Sequence, residues 1–363
     1  MSLNFEAGSD VLHAHFSRDR SCIIGYTENG YRIINCCPVT PLVSKNLCQF
    51  GFHSVDIYKR SNILVLSGNA GNVKFKQNVM YVFDDETEKT LQHYEYPSPL
   101  IRCCILDEFI VAILPKTTYV FNLKDGTLYD QYSTYSNPRG LCDIRQREDG
   151  PVFVVLGKKK GAITIWSKGK KTFGNVSQTI TAHESELSSL CVSPDGKMVA
   201  TASVKGSIIR VFSTYTGECL GEIRRGRTHA AIVNLEFDNS MQYLLCNTGT
   251  TIHVARCLAP ESVRSSAASM HSMVRGEDAS SVAESVTLAG YHAGAPLFCR
   301  GLFGRSFSLH YSNPDHSKSM VAVFGAEPDT LCVLTSKGLL QKLSIDAGSH
   351  LSLFQEDSVL HLK

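Results

Sequence analysis

Apolar residues fall in short runs along this chain, and most runs end at a Gly, Pro, Asn or Asp signal. Residues 11–16, 22–26 and 31–35 read as three strands, and Asn29-Gly30 supplies a hairpin turn between the last two. The plan returns at 187–192, 198–203 and 208–212, with turns at Pro194-Asp195-Gly196 and Val204-Lys205-Gly206. It returns again at 232–237, 243–247 and 251–255. Long amphipathic helices are missing from the body of the pattern, so a parallel α/β fold has nothing to cover its sheet.

Three strands and a linking fourth, repeated at roughly 40–45 residues, give the blade period of a β-propeller. The spacing predicts an all-β fold, a seven-bladed β-propeller of WD-repeat type spanning 1–363. Blade cores are expected near 10–40, 52–95, 98–130, 140–178, 185–224, 230–310 and 319–356. The first strand of a closed propeller usually completes the last blade, so residues 3–7 are expected to pair there.

One stretch breaks the rhythm. Residues 258–294 are rich in Ser, Ala and Gly and show no strand alternation, which predicts a flexible insertion within blade six. Val263, Ala267, Met270 and Val274 share helical spacing, with Met273 at the edge. Two readings follow: a disordered surface loop, or a segment that turns amphipathic at a membrane and makes contact through Met270, Met273 and Val274.

Bulk numbers narrow the chemistry. The net charge of +2 gives no whole-molecule field for nucleic acid, so an anion site must be local. Thirteen cysteines, an odd number without a C-x-x-C pair, fit free thiols in a reduced compartment. The opening residues lack a signal-peptide pattern, and no apolar run approaches ~20 residues, so any membrane contact is peripheral. P-loop, H-E-x-x-H, G-x-S-x-G and zinc spacings are absent. This argues against an enzyme, and nothing points to a metal or cofactor. The cluster Lys158, Lys159, Lys160, Lys168, Lys170 and Lys171 reads as a solvated hairpin face.

The chemistry concentrates in Ile223-Arg224-Arg225-Gly226, between the fifth and sixth repeats. Arginine offers a planar fork of donors that fits phosphate and keeps its charge. Neighbouring side chains on a strand point to opposite faces, so two adjacent arginines can feed two pockets.

Together with Arg210-Val211-Phe212 and Thr216-Gly217, this motif resembles the PROPPIN family. Those are seven-bladed propellers that bind polyphosphoinositides and carry Phe/Leu-Arg-Arg-Gly between blades five and six. Tyr26 to Ile33 with Asn35-Cys36, Arg60 to Leu64, Asn72 to Phe75, Ser136 to Cys142, Thr181-Ala182-His183 and Thr201-Ala202-Ser203 extend the likeness over nearly the whole chain. The branch with an aliphatic-Arg-Arg-Gly motif is the most similar. Two positions depart. Ile223 replaces Phe or Leu, and Gly249 precedes Thr250-Thr251-Ile252-His253 where the family has Lys-Gly-Thr before Val-His.

The resemblance implies two headgroup sites for phosphatidylinositol 3-phosphate and 3,5-bisphosphate. The first would use His183, Ser207, Arg210 and Arg224, the second Arg225, Thr228, Thr251 and His253, with His229 as a neighbour of Thr228. It further implies a cytoplasmic protein peripheral to phagophore, endosomal or vacuolar membranes. An autophagy lipid-transfer protein would dock at blades two and three, near 72–77 and 84–89. Plainer roles stand beside these: Arg210 in an ion pair within its blade, His183 bracing a turn, His253 as a structural donor. The rival to lipid binding is a WD-repeat scaffold for protein assembly. A more distant reading has the arginines bind an acidic peptide.

Overall fold

The computed structural model describes residues 3–4, 11–168, 175–225, 230–257, 287–288, 291–293, 298–301, 307–311, 319–346 and 352–361. These form seven antiparallel sheets, six of them built on four consecutive strands as the repeat requires. Blade five illustrates the plan with Leu187–Val192, Met198–Ser203, Ile208–Ser213 and Cys219–Arg224. Its second strand is nearly all buried and its fourth alternates between buried and exposed. Outermost strands of other blades are more exposed still, as in Lys89–Glu95.

Burial follows from stacking. Each blade presses one apolar face on the preceding blade and one on the next, so strands facing both ways read as continuous Val, Ile, Leu, Phe and Ala. Seven apolar clusters result, one at each junction between neighbouring blades. Phe153, fully buried between blades three and four, packs against Phe109, Tyr129 and Tyr132.

Ring closure differs from the expectation for residues 3–7. Leu3–Asn4 pairs with Val11–Phe16 of blade one, Leu3 opposite Ala14. The fourth place in blade seven is taken by Ser352–His361 beside Leu339–Asp346. Packing closes the ring instead: Leu3, Val11 and Phe16 of the first blade share a core with Val321, Val323 and Leu334 of the last.

Blade six carries the irregularity. Asn234–Phe237, Tyr243–Asn247 and Ile252–Arg256 follow the plan, and Phe307–Tyr311 is the fourth strand, reached only after the insertion. Contrary to the strand-free reading of 258–294, the insertion contains Thr287–Leu288 and Tyr291–Ala293, which extend the blade six sheet. Strands of two and three residues are too short for alternation to show in a sequence. Phe298–Gly301 then pairs with Cys219–Arg224 as a fifth strand of blade five. Met270, Met273 and Val274 lie outside the described residues.

Two glycines bring blade edges together where the candidate residues stand. Gly161 (φ 74°) and Gly206 (φ 64°) lie in the second hairpin turns of blades four and five, in the left-handed region. A Cβ on Gly161 would lie 1.8 Å from the carbonyl oxygen of His183, and one on Gly206 would lie 1.8 Å from that of Ala230. Each turn therefore touches the chain entering the following blade.

Candidate functional site

Register sets the first group of residues. Across blade five Thr201 stands opposite Arg210, and Arg210 opposite Glu222. Opposed residues share a sheet face, and Arg224 shares the face of Glu222 because it is two positions further along the same strand. The Arg210 Nε donates to Glu222 Oε2 at 3.0 Å, and the Arg224 Nε donates to Glu222 Oε1 at 3.0 Å. One carboxylate thus holds two guanidiniums. Arg210 is fixed further by donating Nη1–H to the Ala182 carbonyl at 2.7 Å. The Arg224 side chain keeps 53% of its surface exposed, against 17% for Glu222, so the outer arginine is the accessible one.

Burial pushes the Glu222 carboxyl up, but the Arg210 and Arg224 guanidiniums together outweigh it and hold the group below the ordinary carboxylate range. Glu222 was missed in the sequence reading. The signal was present: in Glu222-Ile223-Arg224 the alternation that separates Arg224 from Arg225 also places Glu222 with Arg224.

His183 is buried beside this row. The Thr201 hydroxyl donates to the Arg210 carbonyl at 3.3 Å, so the His183 Nε2–H donates to Thr201 Oγ1 at 3.0 Å. Burial, then repulsion by Arg210, pushes the imidazole down to about 4. It is neutral at physiological pH and supplies no charge. Ser207 is half-buried, and its carbonyl accepts the Arg225 backbone N–H at 2.9 Å.

The sign of the His183 shift fixes a pH dependence. Its folded value lies below the ordinary 6.5, so the stability linked to neutral His183 is present above about 6.5 and drains away as pH falls toward 4. We expect His183→Gln to reduce the drop in melting temperature between pH 7 and pH 5 relative to the wild type. Parallel thermal melts check it.

Arg225 takes the opposite direction from Arg224. Its Nε donates to the Gly206 carbonyl at 2.9 Å and its Nη2 to the Ala230 carbonyl at 3.3 Å, at the seam between blades five and six. On the blade six side, Thr251 Oγ1 lies 3.0 Å from His253 Nε2 and 2.7 Å from Thr248 Oγ1. Thr228 and His229 lie outside the described residues. Because Gly206 and Ala230 position Arg225, Gly206→Ala should cost about 1–3 kcal/mol of stability through its left-handed φ and the clash. Thermal melts of Gly206→Ala beside the wild type would show the loss.

The region expected to meet a protein partner is also ordered. The buried Asn72 donates Nδ2–H to the Gly51 carbonyl at 2.8 Å and accepts the Phe75 N–H at 2.9 Å, which leaves Val73 between them 92% exposed. Phe50 is exposed nearby, its ring 3.6 Å from the position a Cβ on Gly71 would take. Asp84 caps its own turn by accepting from the Thr87 hydroxyl at 2.7 Å. Lys158, Lys159 and Lys160 are exposed, while Lys170 and Lys171 lie outside the described residues. No described helix is long and apolar enough to cross a membrane.

Comparison with known proteins agrees with this architecture. The sequence model of the PROPPIN family matches residues 13–281. Autophagy-related protein 18e of Arabidopsis thaliana is 28% identical over 279 residues, 74% of this chain and 72% of that protein. SVP1-like protein 2 of Neurospora crassa is 32% identical over 256 residues, 70% of this chain and 58% of its own length. Among solved structures, Kluyveromyces lactis Hsv2 superposes with a TM-score of 0.68 at 15% identity, over 96% of this chain and 98% of that one. KlAtg21, solved in complex with the coiled coil of AgAtg16, gives 0.62 at 15% identity over the full length of both. With the family model covering most of its length, and seven blades in place, the chain belongs to the PROPPIN family.

Proposed function

We propose that this protein is a non-enzymatic phosphoinositide effector. In this reading it binds phosphatidylinositol 3-phosphate and 3,5-bisphosphate at two places on the rim of blades five and six, and recruits partners to autophagic or endosomal membranes. One observation carries the reading: Arg210 and Arg224 converge on a single carboxylate, while Arg225 turns away to the seam with blade six. Two guanidiniums gathered around one anion make a site whose donors are already arranged for another. His183 and Ser207 on the blade five side, and Thr251 and His253 on the blade six side, would add hydrogen bonds to these arginines, and Thr228 completes the second set in sequence. Each site alone need only be weak, because a membrane presenting many headgroups engages both together.

Vesicle flotation tests the reading. The protein should float with vesicles containing 3-phosphorylated inositol lipid and stay behind with vesicles whose only anionic lipid is phosphatidylserine. Equal flotation with both would mean charge attraction without headgroup recognition. The insertion contributes separately, through Met270, Met273 and Val274. Deleting 262–290 should shorten membrane residence several-fold while soluble headgroup binding changes little, as stopped-flow dissociation and calorimetry would show.

A scaffold role is the second reading, supported by the exposed Phe50 and Val73 on the side of blades one and two. KlAtg21 meets a coiled coil, and a comparable partner on this surface is compatible with lipid binding on blades five and six. The autophagy lipid-transfer protein remains the proposed partner for residues 72–77 and 84–89.

A further inference from the structure

The propeller axis holds a second arginine cluster that the rim sites do not use. A cavity of about 100 Å³ is walled by the innermost strands of blades one to six, which places it on the axis. It is continuous, through Arg18, Arg20, Arg145 and Glu236, with a wider mouth of about 260 Å³. The mouth lies on the face formed by the first hairpin turns of the blades. Arg20, Lys59 and Asp107 stand there with φ of 63°, 52° and 51°, in the left-handed region.

Four arginines line the inner cavity, Arg18, Arg20, Arg102 and Arg145, against three carboxylates. The carboxylates are largely committed to the framework. Asp143 accepts the Ile144 and Val192 N–H groups at 2.9 and 2.7 Å and pairs with Arg18 at 2.6 Å. Asp56 repeats the arrangement in blade two, accepting the Ile57 and Ile105 N–H groups at 2.9 and 3.0 Å. Glu236 takes Arg20 at 2.7 Å on one oxygen, and its other oxygen is buried without a partner among the described residues.

Two guanidiniums are only loosely engaged. Arg145 comes no nearer to a carboxylate than 3.6 Å, to Asp107, and its Nε is buried without a partner among the described residues. Burial first, then the adjacent Arg18, hold it below the ordinary arginine range against the pull of Asp143 and Asp107. The half-buried Arg102 makes no side-chain hydrogen bond to a described residue, although neighbours including Asp56 hold its guanidinium above the ordinary arginine range. The buried, unpartnered Arg145 Nε and the unbonded Arg102 guanidinium on one side, and the idle oxygen of Glu236 on the other, suit a ligand that offers both acceptors and a donor.

We propose that the axial cavity binds hydrogen phosphate, a small oxyanion that accepts from Arg145 and Arg102 and donates its remaining P–OH to Glu236. Sulfate is fully ionised at neutral pH and lacks that proton, so it should bind at least about tenfold more weakly. The site is independent of the rim arginines and belongs to free phosphate and not to a lipid headgroup.

Thermal melts in phosphate, sulfate or chloride at matched ionic strength test this. Millimolar phosphate should raise the wild-type melting temperature by about 2 °C or more, with sulfate doing less. Arg145→Gln and Arg102→Gln should each lose the rise yet float with 3-phosphoinositide vesicles as the wild type does. Arg224→Ala/Arg225→Ala should keep the rise. Arg145→Lys retains charge without the planar fork and should show a reduced rise, which serves as a second variant if Arg145→Gln folds poorly. The proposal is overturned if phosphate gives no rise beyond chloride, if sulfate matches it, or if the rise disappears with the rim arginines and survives in the axial variants.

Discussion

Replacing both arginines of the rim, Arg224→Ala/Arg225→Ala, should abolish flotation with 3-phosphoinositide vesicles while the protein remains folded. Charge-assisted hydrogen bonds of this kind contribute about 1.5–3 kcal/mol each, so each site should weaken by roughly tenfold to a hundredfold. On a membrane the losses compound, because bivalent avidity falls when either site fails. The single variants should each keep one site. Arg224→Ala removes a half-exposed partner of Glu222 and leaves the Arg225 contacts to Gly206 and Ala230 in place. Arg225→Ala leaves the Arg210–Glu222–Arg224 group intact. Soluble headgroup titrations should therefore find one site in each single variant and none in the double. Stability should change little for Arg224, whose ion pair is solvent-screened, and more for Arg225, whose donors tie two turns together. A double variant that floats as well as wild type would leave the scaffold role as the better reading.

The blades were legible because each strand is long enough to alternate and each turn has its own chemistry. Val11–Phe16, Met198–Ser203 and Tyr243–Asn247 match the sequence reading residue for residue. What escaped depends on partners distant in sequence. Nothing in Leu3–Asn4 says whether it pairs with the strand after it or with the end of the chain. That choice is made by Ser352–His361 filling the outer place of blade seven. The return of Phe298–Gly301 to blade five is likewise invisible locally, since a four-residue strand has no period to read. At the candidate site, the opposed directions of Arg224 and Arg225 could be inferred from alternation alone. The tie from Arg210 to Glu222 could not, because it needs the register of two strands. The axial arginines were not legible either: Arg18, Arg102 and Arg145 come from three blades and meet only when the ring closes.

Glu222 decides how the first rim site responds to an anion, and Glu222→Gln should expose that control. The carboxylate already occupies the donors a phosphate would need, so binding must displace it from Arg224 at least. Removing its charge frees Arg224 and raises the local positive field. Headgroup affinity at low salt should rise about tenfold, and the gain should shrink as salt screens the added charge. Stability should move the other way, by about 1–2 kcal/mol, because the amide offers one acceptor oxygen and no charge to two guanidiniums that each hold a carboxylate oxygen now. The pH dependence separates these effects. The folded Glu222 value lies below that of the unfolded chain, so its stabilisation is present above about 4.5 and is lost as pH falls through the lower folded value. The Gln variant should lack this component of acid destabilisation. Wild type and variant should thus converge in stability at low pH and diverge at neutral pH, while headgroup affinity differs most at neutral pH and low salt. If Glu222→Gln instead binds tenfold more weakly while still folded, the carboxylate acts by orienting Arg210 and Arg224 toward the ligand, and competition is the wrong account of it.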